Sequence, residues 1–127
     1  MYQLTSHHLE TGRSGETIAR GYLEQRGYET IEMNWRCAAG ELDLVMTDGP
    51  YLVFVEVKAR RSSRAGAAEE AITAAKARRL LAAGEWFVSE HPDYQGMVWR
   101  IDLVALTIAP DGSVLRRTHL ENAISAG

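Results

Sequence analysis

The chain has 127 residues, of which 46% are hydrophobic and 24% charged, and this is the size and composition of one globular domain. A domain of this length buries roughly two thirds of its unfolded surface, so its core needs neither metal nor disulfide. The single cysteine excludes an intramolecular disulfide, and no apolar run approaches the ~20 residues that span a bilayer. Because the N-terminus also has no apolar signal-peptide region, we expect a cytoplasmic protein without membrane contact.

The charge balance restricts how the chain could bind nucleic acid. Fourteen Lys and Arg residues stand against 17 Asp and Glu residues, which gives a net charge of −3. A protein that binds mainly by neutralising phosphates is usually basic. Any role on nucleic acid must therefore come from a local basic patch, or from acidic residues that hold metal ions.

The order of helical and strand patterns predicts a small α/β domain. Residues 1–13 are polar and should form a flexible tail, ahead of a single domain over residues 14–127. Ser14 as N-cap and Gly27 after the last turn predict a helix over about residues 15–26. Further elements follow in this order: strands Tyr28–Met33, Glu41–Met46 and Leu52–Lys58, a loop Ala59–Gly66, a helix from Ala67 to about Glu90, and strands Met97–Ile108 and Ser113–His119. This order predicts a mixed sheet with helices packed against it.

The second and third strands bring acidic residues together. Asp48-Gly49-Pro50 is typical of a turn, so a hairpin connects the two strands. Strict alternation puts Glu56 and Lys58 on one face of the third strand. In the second strand, alternation predicts that Glu41, Asp43 and Val45 share a face, opposite Leu42, Leu44 and Met46. One of two registers of a four-residue loop sets Asp43 directly opposite Glu56, with Cβ atoms roughly 5 Å apart.

Three carboxylates and an ammonium on one sheet face are costly unless something compensates them. Oxygen-rich clusters of this kind suit Mg²⁺ or Mn²⁺, which accept phosphate oxygens as additional ligands. Lys58, two residues after Glu56, would then orient or activate a water molecule or stabilise developing negative charge. The alternative is a solvated pair on an exposed face, which needs no function.

Basic residues next to this cluster also have two explanations. Lys58, Arg60, Arg61 and Arg64 form a basic run that fits contact with a phosphate backbone, or a solvated loop. Lys76 and Arg79 are three residues apart on the second helix. They could face the same groove, and the alternative for the arginine is an ordinary surface position.

Several motifs resemble those of the YraN-type family of small bacterial proteins. The two most specific are GELDL at Gly40–Leu44 and FVEVKAR at Phe54–Arg60. Further shared motifs are Gly15-Glu16, Gly27-Tyr28, Asn34-Trp35-Arg36-Cys37, Lys76 with Arg78-Arg79-Leu80, and Arg100-Ile101-Asp102. The resemblance covers about residues 14–106. That family is similar to the restriction-endonuclease-like PD-(D/E)xK fold, and particularly to archaeal Holliday-junction resolvases.

The resemblance implies a metal-dependent endonuclease acting on DNA, with branched or junction DNA as the expected substrate. The matching catalytic positions are Glu16, Asp43, Glu56 and Lys58, and the backbone carbonyl of Val57 would join Asp43 and Glu56 as a ligand of Mg²⁺ or Mn²⁺. A homodimer is expected because related resolvases cut two strands symmetrically. Glu16 also has an explanation as a first-turn acid that complements the helix dipole.

Two other functional classes remain open at this point. One is a non-catalytic module that keeps the nuclease-like fold for binding DNA or a protein partner. The other is a purely structural α/β domain. The chain also departs from the nuclease motif, because no proline precedes Asp43.

Overall fold

The computed structural model describes residues 15–61 and 72–124. The predicted tail over residues 1–13 and the predicted DNA-binding residue Arg64 lie outside the described residues. The described part of the first helix, α1, covers residues 15–25. The other elements are β1 (Glu29–Cys37), β2 (Gly40–Asp48), β3 (Tyr51–Arg61), α2 (Ala74–Glu90), a 3₁₀ turn (Pro92–Tyr94), β4 (Val98–Ile108) and β5 (Val114–Leu120).

The five strands form one mixed sheet in the order β1-β2-β3-β4-β5. β1, β2 and β3 are an antiparallel meander, and β3 and β4 are parallel because α2 carries the chain back across the sheet. β5 returns antiparallel to β4. The predicted α/β domain with a mixed sheet and flanking helices is confirmed in these terms.

The two helices cover opposite faces of the sheet, and β3 shows this most directly. Val53 and Val55 belong to the core that contains Ala19 and Leu23 of α1. The alternate residues of β3 belong to the core that α2 covers, which contains Leu52, Phe54, Leu80, Ala83 and Phe87. Because β3 is buried on both faces, its sequence is nearly continuously apolar.

Close packing of α2 on the sheet depends on Gly84. A Cβ atom at this position would lie 2.8 Å from Trp99 Cζ3 and 2.9 Å from Phe54 Cε2. Such distances are too short for real contacts, so only glycine allows the helix axis to come this near the two aromatic rings.

The predicted limits of β3 and α2 were wrong. β3 continues through Arg61 instead of ending at Lys58, because its parallel pairing with β4 extends to Arg61 and Ile108. α2 begins at Ala74, since the Thr73 side chain accepts a hydrogen bond of 3.1 Å from the backbone N–H of Lys76 and so caps the helix. The predicted helix is therefore wrong at residues 72 and 73, and its part over residues 67–71 lies outside the described residues.

The sequence left two hairpin registers open, and the structure adopts one of them with a loop shorter than four residues. Asp48 pairs with Tyr51 around a loop of Gly49 and Pro50, and Gly49 has a positive φ of 58°. Leu44 pairs with Val55 farther along, and this is the register that aligns Asp43 with Glu56.

Candidate functional site

The sheet opens between β2 and β3 just where the acidic residues lie. Pairing of these strands ends at Leu44 and Val55. Beyond this point, β2 stays paired with β1 as far as Gly40, and β3 stays paired with β4 as far as Arg61. We call the divergent segments, residues 40–43 of β2 and 56–61 of β3, the fork.

A local irregularity at the fork changes the faces on which the β2 side chains lie. Leu44 packs in the α1-side core, whereas Leu42 packs in the α2-side core. The prediction that Leu42 and Leu44 share a face was therefore wrong. In β1, Met33 and Trp35 switch sides in the same way.

Asn34 explains this switch of faces. Met33 pairs with Leu44 and Trp35 pairs with Leu42, so Asn34 lies opposite Asp43. Asn34 has a φ of 54°, in the left-handed region that asparagine tolerates better than most residues. The left-handed residue interrupts the alternation of β1 at the position that faces Asp43.

The side chain of Asp43 reaches across the fork to the backbone of β3. Its Oδ2 accepts a hydrogen bond of 2.9 Å from the backbone N–H of Val57. Burial and the nearby charges of Glu56 and Glu41 together raise the pKa of the Asp43 carboxyl group to about 7, against the lowering effect of the Val57 hydrogen bond. Asp43 therefore holds its negative charge at a substantial cost.

Glu56 lies beside Asp43 and is almost completely buried, with 3% of its surface exposed. Its Oε2 is 3.4 Å from the Nζ of Lys76 on α2. Its Oε1 is buried and has no hydrogen-bond partner among the described residues. Two ionised carboxylates are both acceptors, so Asp43 and Glu56 satisfy each other only if a proton or a cation lies between them.

These two side chains, which we call the carboxylate pair, fit a divalent cation in part. Mg²⁺ typically takes one or two carboxylates from the protein and completes its coordination with water and phosphate oxygens. Within residues 15–61 and 72–124, however, no three His, Cys, Asp or Glu side chains gather closely enough to hold a metal. The pair is thus a candidate for a site that depends on water and substrate for its other ligands.

Glu16 lies near the fork from the α1 side of the sheet. The preceding residue, Gly15, packs against β3, where an added Cβ would be 2.8 Å from the Cβ of Ala59. Glu16 itself is half-buried and has interaction partners in the fold. Its assistance to the carboxylate pair, like metal binding by the Val57 carbonyl, stays a prediction.

The predicted basic residues are distributed unequally around the fork. The alternation of β3 places Lys58 and Arg60 on the face of Glu56, and Arg61 on the other face. On α2, Lys76 contacts Glu56, and a Cβ built on Gly40 would lie 3.9 Å from the Cβ of Arg79. Both helix residues therefore lie next to the fork, and their contact with DNA stays a prediction.

The contact of Lys76 with Glu56 was not foreseen from the sequence. One available signal was the charge order of α2, which has no acidic residue in its first turn and no basic residue in its last. That order is the reverse of what the helix dipole favours. The switch of faces was also not predicted, and the available signal for it was Asn34, a weak strand former inside β1.

A second group of polar side chains lies on the α1 side, away from the fork. Asp102 is fully buried, and it accepts hydrogen bonds of 2.9 Å from Arg100 Nε and from the backbone N–H of Asn122. His119 Nε2 is also 2.9 Å from Asp102. Burial alone would raise the pKa of Asp102, but these partners lower it below its ordinary value. Asp102 and Arg100 therefore form a buried salt bridge that the neighbouring hydrogen bonds complete.

Comparison with known proteins places the chain among bacterial relatives. A UPF0102 protein of Renibacterium salmoninarum is 46% identical over 112 residues, which cover 88% of this chain and 93% of that relative. A UPF0102 protein of Roseiflexus castenholzii is 40% identical over 121 residues, covering 95% of this chain and 98% of the relative.

The described residues contain no helix that is both long and apolar enough to cross a membrane.

A third relative, a UPF0102 protein of Ectopseudomonas mendocina, is 42% identical over 121 residues, covering 95% of this chain and 99% of the relative. The resemblance to the YraN-type family is confirmed, and the chain belongs to the uncharacterised protein family UPF0102, whose model matches residues 15–106.

Proposed function

We propose that this protein is a metal-dependent endonuclease with a restriction-endonuclease-like PD-(D/E)xK fold, and that it hydrolyses phosphodiester bonds in DNA, branched or junction DNA in particular. The observation that carries the proposal is the carboxylate pair. Glu56 is 97% removed from solvent with one oxygen lacking a hydrogen-bond partner among the described residues, and it lies beside an aspartate whose pKa is about 7. A divalent cation would satisfy both groups.

In this proposal, Asp43 and Glu56 hold Mg²⁺ or Mn²⁺, with the carbonyl of Val57 as a further ligand. The cation would supply Lewis-acid activation of the scissile phosphate. The hydrogen bond from the Val57 backbone fixes the orientation of the Asp43 carboxylate, so the site is held by the sheet itself. Lys58, on the face of Glu56, would position the attacking water or stabilise the charge that develops on the phosphate.

The surrounding charges support a polyanionic substrate. Lys58 and Arg60 of β3 and Lys76 and Arg79 of α2 lie around the fork, although the whole chain carries a net charge of −3. Basic residues concentrated at one place would bind a phosphate backbone near the metal site. The predicted homodimer would let two such sites cut two strands, and it remains part of this proposal.

The experiment is cleavage of labelled duplex, single-stranded, flap and four-way-junction DNA in the presence of Mg²⁺ or Mn²⁺. Identically purified Asp43→Asn and Lys58→Ala variants control for contaminating nuclease. We expect the natural protein to cut at least one substrate, and both variants to lose at least ~100-fold in rate. Equal behaviour of all three proteins would refute the catalytic proposal.

A non-catalytic binding module is the second candidate, and one observation favours it. No third acidic side chain joins the carboxylate pair within the described residues. Such a module would bind the same DNA substrates equally well with and without divalent cations, and it would cut none of them. Binding measured by fluorescence anisotropy alongside the cleavage assay separates the two candidates.

A further inference from the structure

We propose that Lys76 is a built-in counter-ion of the carboxylate pair, which a divalent cation must displace from Glu56 when it binds. This inference rests on the proposed metal site and concerns how that site is kept stable before it is filled. It assigns Lys76 a role different from the DNA contact that the sequence suggested.

The contact itself is the first support for this role. The Nζ of Lys76 is 3.4 Å from Oε2 of Glu56, and the lysine side chain is 32% exposed while the glutamate is 3% exposed. The ammonium therefore reaches from the solvent side toward a buried negative charge. An exposed lysine can leave such a contact at little cost, because water is ready to solvate it.

The geometry of Glu56 is the second support. Only one of its two oxygens contacts the lysine, and the other is buried without a partner among the described residues. A resident structural ion pair would be expected to satisfy both oxygens. A carboxylate with one oxygen satisfied is what we expect if the Lys76 ammonium occupies only part of the site that the divalent cation would fill.

The position of Lys76 in α2 is the third support. It is the residue whose backbone N–H bonds to the Thr73 cap, so it lies in the first turn. A cation there is disfavoured by the positive end of the helix dipole. The cost is understandable if the charge is required at the fork, where the ammonium compensates Glu56.

Displacement of Lys76 by the cation predicts the direction in which a Lys76 substitution changes the metal affinity. If Lys76 competes with the cation, removing its charge should strengthen metal binding, although the lysine lies beside the metal site. A lysine that helped to hold the metal-bound state would have the opposite effect when removed.

The test is Mn²⁺ binding by isothermal titration calorimetry, with Lys76→Met and Lys76→Gln compared with the natural chain. At about 0.1 M salt, where charges more than about 10 Å apart are screened, we expect both variants to bind Mn²⁺ about tenfold more tightly. Arg79→Met removes one charge from the same helix without a contact to Glu56 and should change the affinity less than about threefold. Lys76→Arg keeps the charge and should stay near the natural affinity.

A second readout is the thermal stability of the same proteins with and without Mn²⁺. Lys76→Met should melt at a lower temperature than the natural chain without metal, and it should gain more from added Mn²⁺. Lys76→Gln keeps a hydrogen-bond donor, so it serves if the methionine variant does not fold.

The outcomes separate this inference from the proposed function. Unchanged or weaker Mn²⁺ binding by Lys76→Met and Lys76→Gln, with clear binding by the natural chain, would overturn the role of Lys76 and leave the metal site standing. Binding by the variants alone would support the inference. If none of the proteins binds Mn²⁺, the proposed metal site fails, and this inference fails with it.

Discussion

Replacement of Asp43 by asparagine should stabilise the metal-free protein. Asparagine keeps an oxygen that can accept the 2.9 Å hydrogen bond from the Val57 N–H. It removes a negative charge that burial and Glu56 make unfavourable. Its amide group can also donate to the neighbouring carboxylate of Glu56, which has an oxygen without a partner among the described residues.

The magnitude follows from the pKa of Asp43, which is about 7 in the folded protein against an ordinary 3.8. Between about pH 4 and pH 7 the folded state binds more protons than the unfolded state, so the free energy of unfolding falls as the pH rises through this window. Above pH 7 the full cost is present, and it corresponds to roughly 4 kcal/mol. Because Lys76 and water relax the site, we expect asparagine to recover about 2 kcal/mol at pH 8, and less than half of that at pH 5.

Urea unfolding in the presence of EDTA, at pH 5 and pH 8, measures this difference. Asp93→Asn is the matched control, since Asp93 is exposed in the 3₁₀ turn, and it should change the free energy of unfolding by less than about 0.5 kcal/mol. With Mn²⁺ in place of EDTA, the natural chain should gain stability and the Asp43→Asn variant should gain little. Loss of stability in Asp43→Asn at pH 8, or an equal effect at both pH values, would refute the reasoning.

Three further substitutions test other parts of the fold. Gly84→Ala places a Cβ 2.8 Å from Trp99 and should lower the free energy of unfolding in urea by about 1–3 kcal/mol. Gly21→Ala in α1 is the control, because an added Cβ there meets nothing within 4 Å, and it should be neutral or slightly stabilising. Equal effects of the two substitutions would contradict the packing argument. Asn34→Gly should keep both the free energy of unfolding and the Mn²⁺ affinity. Asn34→Ala disfavours a φ of 54°, so it should lower the free energy of unfolding by about 1 kcal/mol and weaken Mn²⁺ binding in calorimetry. Identical behaviour of the two variants would show that the left-handed residue does not position the site. Asp102→Asn should lower the free energy of unfolding by about 3 kcal/mol, the opposite sign to Asp43→Asn, and a stabilising effect would contradict the network described around it.

The sequence predicted most of the architecture because the strands carry strong local signals. β3 is apolar on both faces and is bounded by turn residues, and the hairpin left two possible pairing registers with β2, one of which the structure adopts. What the pattern missed depends on contacts distant in the chain. The extension of β3 to Arg61 needs β4 as a parallel partner, and the start of α2 is decided by the Thr73 cap instead of by the alanine content of the preceding residues.

The features of the candidate site also fall into those that local sequence patterns predict and those that depend on distant contacts. One of the two registers that the sequence left open brings Asp43 and Glu56 together, because strand pairing in a hairpin is a local property. The face of Leu42 was mistaken because a single left-handed residue in a neighbouring strand, Asn34, resets the alternation. The ion pair of Lys76 joins a helix to a strand 20 residues away in sequence, and no periodicity within either element reports it.

Comparison of Asp43 with Asp102 shows that the carboxylate pair is not forced on this fold. At Asp102 the chain provides Arg100, His119 and a backbone N–H, and the pKa of that carboxyl group is lowered in spite of its complete burial. At Asp43 the same sheet provides one backbone N–H and a second carboxylate, and the pKa is raised to about 7. A sequence able to neutralise one buried acid so fully had the means to neutralise the other, or to replace it with an apolar residue. The incomplete compensation of the carboxylate pair is therefore an argument for the proposed divalent cation, which would bring the positive charge that the described residues supply only in part.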